Sequence, residues 1–386
     1  MSNCKRNPQI YAGQSHRHFS RRDFLKVAGI SAAGLALAGC QKATTETNVP
    51  QGDNPTDTGR PADAGRPTVA IARADSYDRT LIRKQLESLF DKIGGLSSIL
   101  AHGNRVAIKT NLTGGTSTTP LPGIPEIESY LTHPEVVRAT AELLMDSGVT
   151  KVFIVEAVYE KASWPVYGYL DMAKEIGAEL IDLNYADPYP DFVKTVPGTD
   201  PMIYEELTFN PILNEIDAFV SISKMKCHNT AGVTHTMKNL VGLVPYRFYE
   251  MNPGDRYRSA IHGRSGETRK RLPRAIVDLN GARPIQLGII DGIWTTEAGE
   301  GPWIPALTQI KPGLLFAGKD VVATDAVATA AMGFDPTADY PDAPFVNAEN
   351  HLNIAASLGM GTNQLENIKV VGEKLEDVTM QFTPSY

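Results

Sequence analysis

Cysteine is nearly absent from this chain of 386 residues, which contains only Cys4, Cys40 and Cys227. An iron–sulfur cluster held by cysteine needs several thiolates, so no such cluster is expected. If Cys4 leaves with a leader peptide and Cys40 is modified, Cys227 stays alone in the mature chain. No disulfide can then form within that chain, even in an oxidising compartment.

Long hydrophobic runs are also missing. The apolar stretch over residues 27–38 is about a dozen residues long, whereas a membrane-spanning helix needs roughly 20. It follows the adjacent Arg21 and Arg22 and ends in the sequence Leu-Ala-Gly before Cys40. A basic region, a short apolar core and small residues are typical of an export signal, and paired arginines indicate the twin-arginine route.

We expect residues 1–39 to be a signal peptide and Cys40 to carry lipid, because Leu-Ala-Gly-Cys resembles a lipobox, where the cysteine is acylated. The protein would then be exported and anchored to a membrane, on its periplasmic or extracellular side. The twin-arginine translocase and lipoprotein-processing enzymes are the partners that this implies. The alternative is an ordinary leader with a chance cysteine. Residues 40–67, rich in Thr, Pro, Gly and Asp, predict a flexible tether.

Beyond the leader, acidic residues outnumber lysine and arginine. Residues 1–39 have a net charge of +5 and the whole chain −7, so the remainder carries about −12. This acidity argues against a nucleic-acid partner and against binding to anionic lipid through a basic face. A hydrophobic content of 42% is typical of a globular protein with a substantial core.

Short apolar strands alternate with amphipathic helices from Val69 onward. Strands are predicted at 69–72, 106–108, 152–155, 179–183, 218–223, 286–290, 314–317 and 367–371, and helices at 82–93, 132–148, 170–176, 231–243, 273–280, 320–332 and 349–358. Thr132 and Glu135 match a capping box at the start of one helix. The alternation predicts an α/β fold, a mainly parallel sheet covered by helices on both faces, with one lobe or two left open. This domain is assigned to residues 68–374, and residues 375–386 to a C-terminal tail.

Polar residues follow several of the predicted strands. They are Lys109 and Asn111, then Glu156, then Lys224, Lys226, Cys227 and His228, then Asp291, and finally Lys319, Asp320 and Asp325. Ligands of open parallel sheets bind beyond the carboxyl ends of the strands. A single such residue is more often a solvated loop charge. Five strands that end in this way indicate a shared site, because their ends converge on one rim.

Residues 224–245 contain the highest density of candidate site residues. They read as a strand end, a polar turn and a helix beginning near Ala231, an arrangement that favours a phosphate or carboxylate anion. Lys238 stands beside an apolar run, and a desolvated lysine can act as a base or nucleophile. A structural ion pair is the alternative for Lys238. A second basic run covers residues 254–274, and glycine-rich loops at 113–115 and 299–302 are candidates to cover a site.

A divalent metal is a candidate cofactor. Cys227, His228 and His235 match no standard zinc spacing. A metal would more readily use His228 with carboxylates from other strand ends, namely Glu156, Asp291 or Asp320. The alternative is that His228 and His235 are hydrogen-bonded residues without a ligand.

From Val69 to about Gly372 the chain resembles the family called domain of unknown function 362. The matching pieces are residues 106–112, 132–148, 224–228, 232–234, 238–242, His262, 276–279, 290–293, 301–302, 318–320 and 324–326, in family order. The resemblance implies positions rather than a reaction. Many relatives carry an appended ferredoxin-like domain, and we expect none in this chain. The family pattern has threonine where Cys227 stands and no histidine at 235.

Two hypotheses of different classes follow. The first is an enzyme that acts on a small anionic substrate, with catalytic candidates Lys226, His228, Lys238 and Asp291 and substrate-binding candidates Lys109, Asn111, Lys224, Asn239 and His262. The second is a lipid-tethered ligand-binding or redox-accessory protein that holds the ligand without converting it.

Overall fold

The computed structural model describes residues 65–101, 103–116, 121–198 and 200–386. The predicted signal peptide, Cys40 and nearly all of the tether lie outside these residues. The strands are β1 Thr68–Arg73, β2 Arg105–Lys109, β3 Lys151–Glu156, β4 Glu179–Asp182, β5 Val193–Thr195, β6 Leu207–Phe209, β7 Ala218–His228, β8 Gly232–Thr234, β9 Leu287–Glu297, β10 Thr308–Ile310, β11 Leu314–Gly318 and β12 Lys369–Gly372.

The helices largely occupy the predicted segments. They are α1 Arg79–Lys92, α2 Ser97–Leu100, α3 Pro134–Asp146, α4 Ser163–Val166, α5 Tyr169–Ile176, α6 Ile212–Glu215, α7 Ser259–His262, α8 Thr268–Ala282, α9 Val321–Ala331, α10 His351–Ser357 and α11 Leu375–Val378. Short 3₁₀ helices cover Glu126–Glu128, Lys238–Leu243, Tyr246–Phe248 and Leu365–Asn367.

The described residues form a sheet with the strand order β12-β1-β11-β9-β7-β2-β3-β4, to which β8 and β10 add at the side. Five neighbouring pairs along this order are parallel, and β11 runs antiparallel to both β1 and β9. The prediction of a mainly parallel α/β sheet is confirmed. The described residues belong to one compact unit rather than two lobes.

Side chains alternate between the two faces of the sheet, as strand geometry requires. In β2, Val106 and Ile108 join the core beneath α1 and α3, whereas Ala107 joins the opposite core beneath α8. In β11, Leu315 faces the first core and Phe316 a third cluster beneath α9. Both faces are therefore covered by helices, and the open rim of the sheet is left for a ligand.

The start of α3 corrects the predicted capping box. The N-cap is His133, whose Nδ1 accepts the Glu135 backbone N–H at 3.2 Å, and Pro134 opens the helix. The Thr132 hydroxyl instead links β7 to the segment that follows β2. It donates to the Ile222 carbonyl at 3.1 Å and accepts from the Asn111 N–H at 3.2 Å.

The predicted helix over 231–243 is wrong. Strand β7 continues through Lys224–His228 and turns back into β8, which pairs Lys226 with Thr234 in antiparallel register. Gly232 makes this turn at a φ of +76°, where a side chain would also meet the Phe345 ring. Only the short 3₁₀ helix Lys238–Leu243 follows. No helix N-terminus stands near Ala231, so the argument for anion binding there by a helix dipole fails.

Residues 375–386, predicted as a tail, pack against the domain. Phe382 is 1% exposed, and the Ala298 N–H donates to the Thr383 carbonyl at 2.9 Å. At the other end of this segment, the Asn229 side chain donates to the Tyr386 carbonyl oxygen at 2.7 Å. Among the described residues, the helices are too short or too polar to cross a membrane.

Candidate functional site

A cleft of about 910 Å³ opens at the carboxyl ends of the parallel strands β2, β3 and β7. The predicted residues that line it are Lys109, Asn111, Glu156, Lys226, His228, Lys238, Asn239 and His262. Both glycine-rich loops reach it, through Thr113 and Gly114 and through Glu300. Of the residues predicted to follow strands, Lys109, Asn111, Glu156, Lys226 and His228 therefore do meet at one rim, and Lys238, Asn239 and His262 join them from helical segments.

Three predicted site residues lie elsewhere. Lys224 and Asp291 are fully buried between β7 and β9 and do not line the cleft. Asp320 caps helix α9, where its carboxylate accepts the Ala323 N–H at 2.9 Å. The prediction that Asp291 shares the cleft with Lys109 and Glu156 is wrong.

Lys109 and Glu156 form a buried ion pair on the floor of the cleft. Their charged atoms are 2.8 Å apart, and the Lys109 ammonium also donates to the Thr110 carbonyl at 2.6 Å and to Asn239 Oδ1 at 3.2 Å. These three contacts use all three N–H bonds of the ammonium. Gly242 covers the pair, because a Cβ there would lie 2.4 Å from Glu156 Oε1. Lys109 therefore holds the floor together and has no donor left for a substrate.

Asn239 extends this network into the neighbouring strand. Its amide nitrogen donates to Ser221 Oγ at 3.0 Å, and its carbonyl oxygen accepts from Asn111 Nδ2 at 3.0 Å as well as from Lys109. The 3₁₀ helix that begins with Lys238 is thus attached to β2 and β7 through buried polar contacts. Burial lowers the pKa of Lys109, and the charge of Glu156 opposes this shift.

Lys224 and Asp291 form a second buried pair, 2.9 Å apart, with neither side chain exposed. The Tyr77 hydroxyl donates to Asp291 Oδ1 at 2.9 Å and accepts from Lys224 at 2.8 Å. The His133 N–H donates to Asp291 Oδ2 at 3.1 Å, and the His133 ring stacks on Tyr77 with centroids 3.8 Å apart. The cluster joins β7, β9 and the start of α3, which is a structural role.

The predicted metal ligands do not come together. Glu156 is paired with Lys109, Asp291 with Lys224, and Asp320 caps a helix. Within the described ranges, no group of three or more His, Cys, Asp and Glu residues has the arrangement of a metal site. The structure therefore contradicts this ligand set. Cys227 and His235 are buried outside the lining of the cleft.

Two lysines in the cleft have no acidic partner. Lys226 is 1% exposed and donates to the Tyr130 carbonyl at 2.7 Å, while Lys238 is half-buried. Within the described part of the chain, neither forms an ion pair with a carboxylate. Burial lowers the pKa of Lys238 to about 8; the charge of Glu300 opposes this shift and that of Lys109 adds to it. Burial also lowers the pKa of Lys226 well below its ordinary value, and the charge of Lys238 adds to that shift.

Two histidines in the cleft are held in opposite tautomers. His228 Nδ1 accepts the Thr230 backbone N–H at 3.1 Å, so a neutral ring carries its proton on Nε2. His262 Nδ1 lies 3.1 Å from the Arg258 carbonyl, which can only accept, so its Nε2 keeps a lone pair. Burial and the charge of Lys238 lower the pKa of His262 to about 4, and burial lowers that of His228 well below its ordinary value. The cleft thus contains a neutral donor and a neutral acceptor.

Several lining residues were not singled out from the sequence. Glu300 accepts the Asn229 N–H at 3.0 Å and the Trp303 indole N–H at 2.9 Å. Arg258, 3% exposed, donates to backbone carbonyls, among them Val244 O at 3.1 Å and Ala157 O at 2.5 Å. The only sequence signal for them was their position in a glycine-rich loop and in the basic run.

Asp325 holds the backbone that leads into Lys238. Its carboxylate accepts the backbone N–H groups of Thr236 and Met237, both at 2.9 Å, directly before Lys238. Burial raises the pKa of Asp325 to about 7, and these hydrogen bonds oppose the shift. Lys319, at the end of β11, does not line the cleft.

We predict that Asp291→Asn lowers the free energy of unfolding by about 3–5 kcal/mol, because Lys224 would remain buried without a carboxylate. The double variant Lys224→Met with Asp291→Leu should recover much of this loss, since no unpaired charge is left. Chemical denaturation measures both. Glu206→Gln, which breaks the exposed pair with Lys194, is the control and should cost at most about 1 kcal/mol. A loss as small as that for Asp291→Asn would contradict the structural role.

Lys238→Met should stabilise the protein at pH 7. The pKa of Lys238 falls from 10.5 to about 8 on folding, so the folded state binds the proton less well than the unfolded state. The resulting instability is full below about pH 8 and disappears as the pH rises to 10.5. The melting temperature of the variant should therefore exceed that of the wild type at pH 7 and approach it at high pH. A structural ion pair at Lys238 would give the opposite result, a loss of stability at pH 7.

The chain is similar to several known proteins. A curated relative, the thylakoid-associated protein sll1697 of Synechocystis sp., is 27% identical over 317 residues, which are 81% of this chain and 89% of that protein. Two solved structures align with a TM-score of 0.33 and 14% identity each: a crystal structure of a Thermotoga maritima protein, over 65% of this chain, and the lactate racemase apoprotein of Thermoanaerobacterium thermosaccharolyticum, over 66%. This chain spans 57% and 56% of their lengths. The family model described as domain of unknown function (DUF362) matches residues 106–330, and the chain belongs to that family.

Proposed function

We propose that the protein is an enzyme that transfers protons to and from an organic anion bound in the cleft. The observation that carries this proposal is the pair of neutral histidines with opposite tautomers, His228 and His262, beside two lysines that have no acidic partner. General acid–base catalysis needs a positioned donor and a positioned acceptor, and both are present without a substrate to arrange them.

Lys238 supplies the charge that binds the anion. At pH 7 it is a cation in a partly desolvated cleft, where its attraction for a carboxylate or phosphate is stronger than in water. The carboxylate whose charge acts on Lys238, Glu300, already accepts the Asn229 and Trp303 N–H groups. A bound anion would give the Lys238 ammonium the negatively charged partner that it lacks among the described residues.

His262 is the base in this proposal, and His228 is a neutral hydrogen-bond donor to the substrate. His262 is neutral above about pH 4, so its Nε2 lone pair is available at physiological pH. His228 can donate from Nε2 and is kept neutral by burial and by the Thr230 N–H. Lys226 lies near the end of the same strand as His228; its Nζ donates to the Tyr130 carbonyl at 2.7 Å, and burial lowers its pKa.

The first test is the binding of inorganic phosphate, acetate and 2-oxo carboxylates to the full chain by calorimetry. Lys238→Met should abolish binding, whereas Lys319→Met, a strand-end lysine outside the cleft, should not change it. Anions that bind and carry an acidic C–H are then incubated with the protein in D₂O. Deuterium should enter next to the carbonyl at a rate that depends on His262 and is lost in His262→Gln.

The pH dependence of kcat/KM for this exchange should be bell-shaped, because it reports the groups of the free enzyme. The lower limb should lie near pH 4, where His262 becomes protonated, and the upper limb near pH 8, where Lys238 loses its proton. Binding that depends on Lys238 without any exchange would identify a ligand-binding protein instead. Anion binding that is unchanged in Lys238→Met would contradict the proposal, because the proposal assigns anion binding to Lys238.

We also propose that the protein is exported through the twin-arginine route and held at a membrane by lipid on Cys40. The support is the order of Arg21 and Arg22, the short apolar core and the Leu-Ala-Gly-Cys sequence. The net negative charge of the rest of the chain argues against binding to anionic lipid through a basic face.

Cys40→Ser should release the exported protein into the soluble fraction, as followed by fractionation and mass spectrometry for the lipid. Arg21→Lys with Arg22→Lys should block export, and Lys5→Arg with Arg6→Lys serves as a control that keeps the basic charge of the leader. Continued membrane association of Cys40→Ser would rule out the anchor, and normal export of the double variant would indicate the general secretory route.

A further inference from the structure

Trp303 presents an aromatic face to the cleft. Its benzo ring packs directly on Gly301, where a Cβ would lie 2.3 Å from the ring, and its indole N–H donates to Glu300 Oε1 at 2.9 Å. Its ring also meets Tyr130 edge-on, with centroids 6.4 Å apart. The side chain is nevertheless 45% exposed and lines the cleft. The indole is held by its N–H and by Gly301, and the rest of the ring is exposed. A planar ligand could stack on or meet that exposed part.

A second aromatic ring stands beside the base. Tyr257 is 49% exposed and lines the cleft, and its ring centroid is 5.9 Å from that of His262. Its position follows from Arg258, which adopts a φ of +56° and is held by backbone carbonyls. A left-handed arginine is a strained conformation that its surroundings must maintain. The structure thus maintains an exposed tyrosine next to His262.

The rest of the lining agrees with this arrangement. Leu112, Tyr159, Val241 and Ile304 add apolar surface to the cleft. A volume of about 910 Å³ is near the upper end of ligand pockets, which range over roughly 300–1,000 Å³ and bury molecules of drug size. A phosphate or acetate ion would occupy only the part beside Lys238. Trp303, Tyr257 and the apolar residues give much of the remaining space a surface that water solvates poorly, although Asp255 and Arg256 also line it.

We propose that the substrate is an anion carried on a planar aromatic body, with the anionic group at Lys238 and the ring against Trp303. The proposal rests on the proposed function, because it assigns the second half of the molecule that the acid–base site acts on. Aromatic carboxylates and aromatic phosphate esters share this chemistry. Offset or edge-on contact with an indole stabilises a flat ring beyond the area that it buries.

The test compares two carboxylates with the same carbon skeleton. Naphthalene-2-carboxylate is flat and aromatic, and decahydronaphthalene-2-carboxylate is saturated and puckered, so hydrophobic burial alone favours neither strongly. Calorimetry on the full chain should give about tenfold tighter binding of the flat ligand. Phenyl phosphate against cyclohexyl phosphate repeats the comparison for the phosphate source and shows which anionic group is preferred.

Variants locate the preference. Trp303→Leu should reduce the ratio of the two affinities to about one, and Trp303→Phe should restore most of it, because a ring is regained. Trp294→Leu removes an indole outside the cleft and should leave the ratio unchanged. Melting temperatures of the three variants confirm that each is folded.

The outcomes separate this proposal from the previous one. Equal binding of the flat and saturated ligands, or a ratio that survives Trp303→Leu, overturns the aromatic assignment and leaves anion binding at Lys238 intact. Failure of every anion to bind the wild-type protein overturns both. A preference for the flat ligand that persists in Lys238→Met supports the aromatic surface and contradicts the role of Lys238.

Discussion

The buried contact between Lys109, Glu156 and Asn239 is the interaction on which the site depends. The ends of β2 and β3 meet the 3₁₀ helix at this point, and each donor of the Lys109 ammonium is used there. A buried ion pair gains little stability over an apolar pair, but it tolerates only one arrangement of its partners. Here the ion pair fixes positions rather than adding stability. It holds Asn239, and therefore the neighbouring Lys238, in one position relative to the sheet.

The buried lysines show how one residue type takes different roles along neighbouring strand ends. Lys109 and Lys224 each have a carboxylate and complete their contacts within the protein. Lys226 and Lys238 form no ion pair with a carboxylate among the described residues, and their lowered pKa values reflect a desolvation that the charge of Glu300 opposes only in part. Strongly perturbed groups in a cleft are a physical indication of a functional site. The distinction rests on partners that come from distant parts of the chain.

The sequence was sufficient for the layered fold and for much of the rim, because hydrophobic period and strand order are local signals. Lys226, His228 and His262 were predicted and do converge. The hairpin at 224–234 was missed, although Lys224, Lys226 and His228 alternate with Met225 and Cys227, which is a strand pattern. Its polar residues were read as a turn, because nothing local shows that β8 and β9 would cover both edges.

Asp291 and Trp303 were misjudged or missed for a different reason: their surroundings are assembled over long distances in sequence. The partners of Asp291 include Tyr77 and His133, more than 150 residues away. The orientation of Trp303 depends on Gly301 beneath its ring, a relation that only coordinates reveal. The sequence of the 299–302 loop therefore predicted a cover for the site, but not its chemistry.

The packing of the last residues has a practical consequence for how the protein is handled. Thr383 is bonded to the backbone just before Glu300, and Tyr386 receives the side chain of Asn229, which itself lines the cleft. A purification tag or a fused fluorescent protein attached after Tyr386 would emerge beside the entrance to the cleft. It would compete with ligands for access and pull on the loop that carries Glu300. Labels are better introduced into the exposed turn near Glu206, at a distance in sequence from all of these contacts.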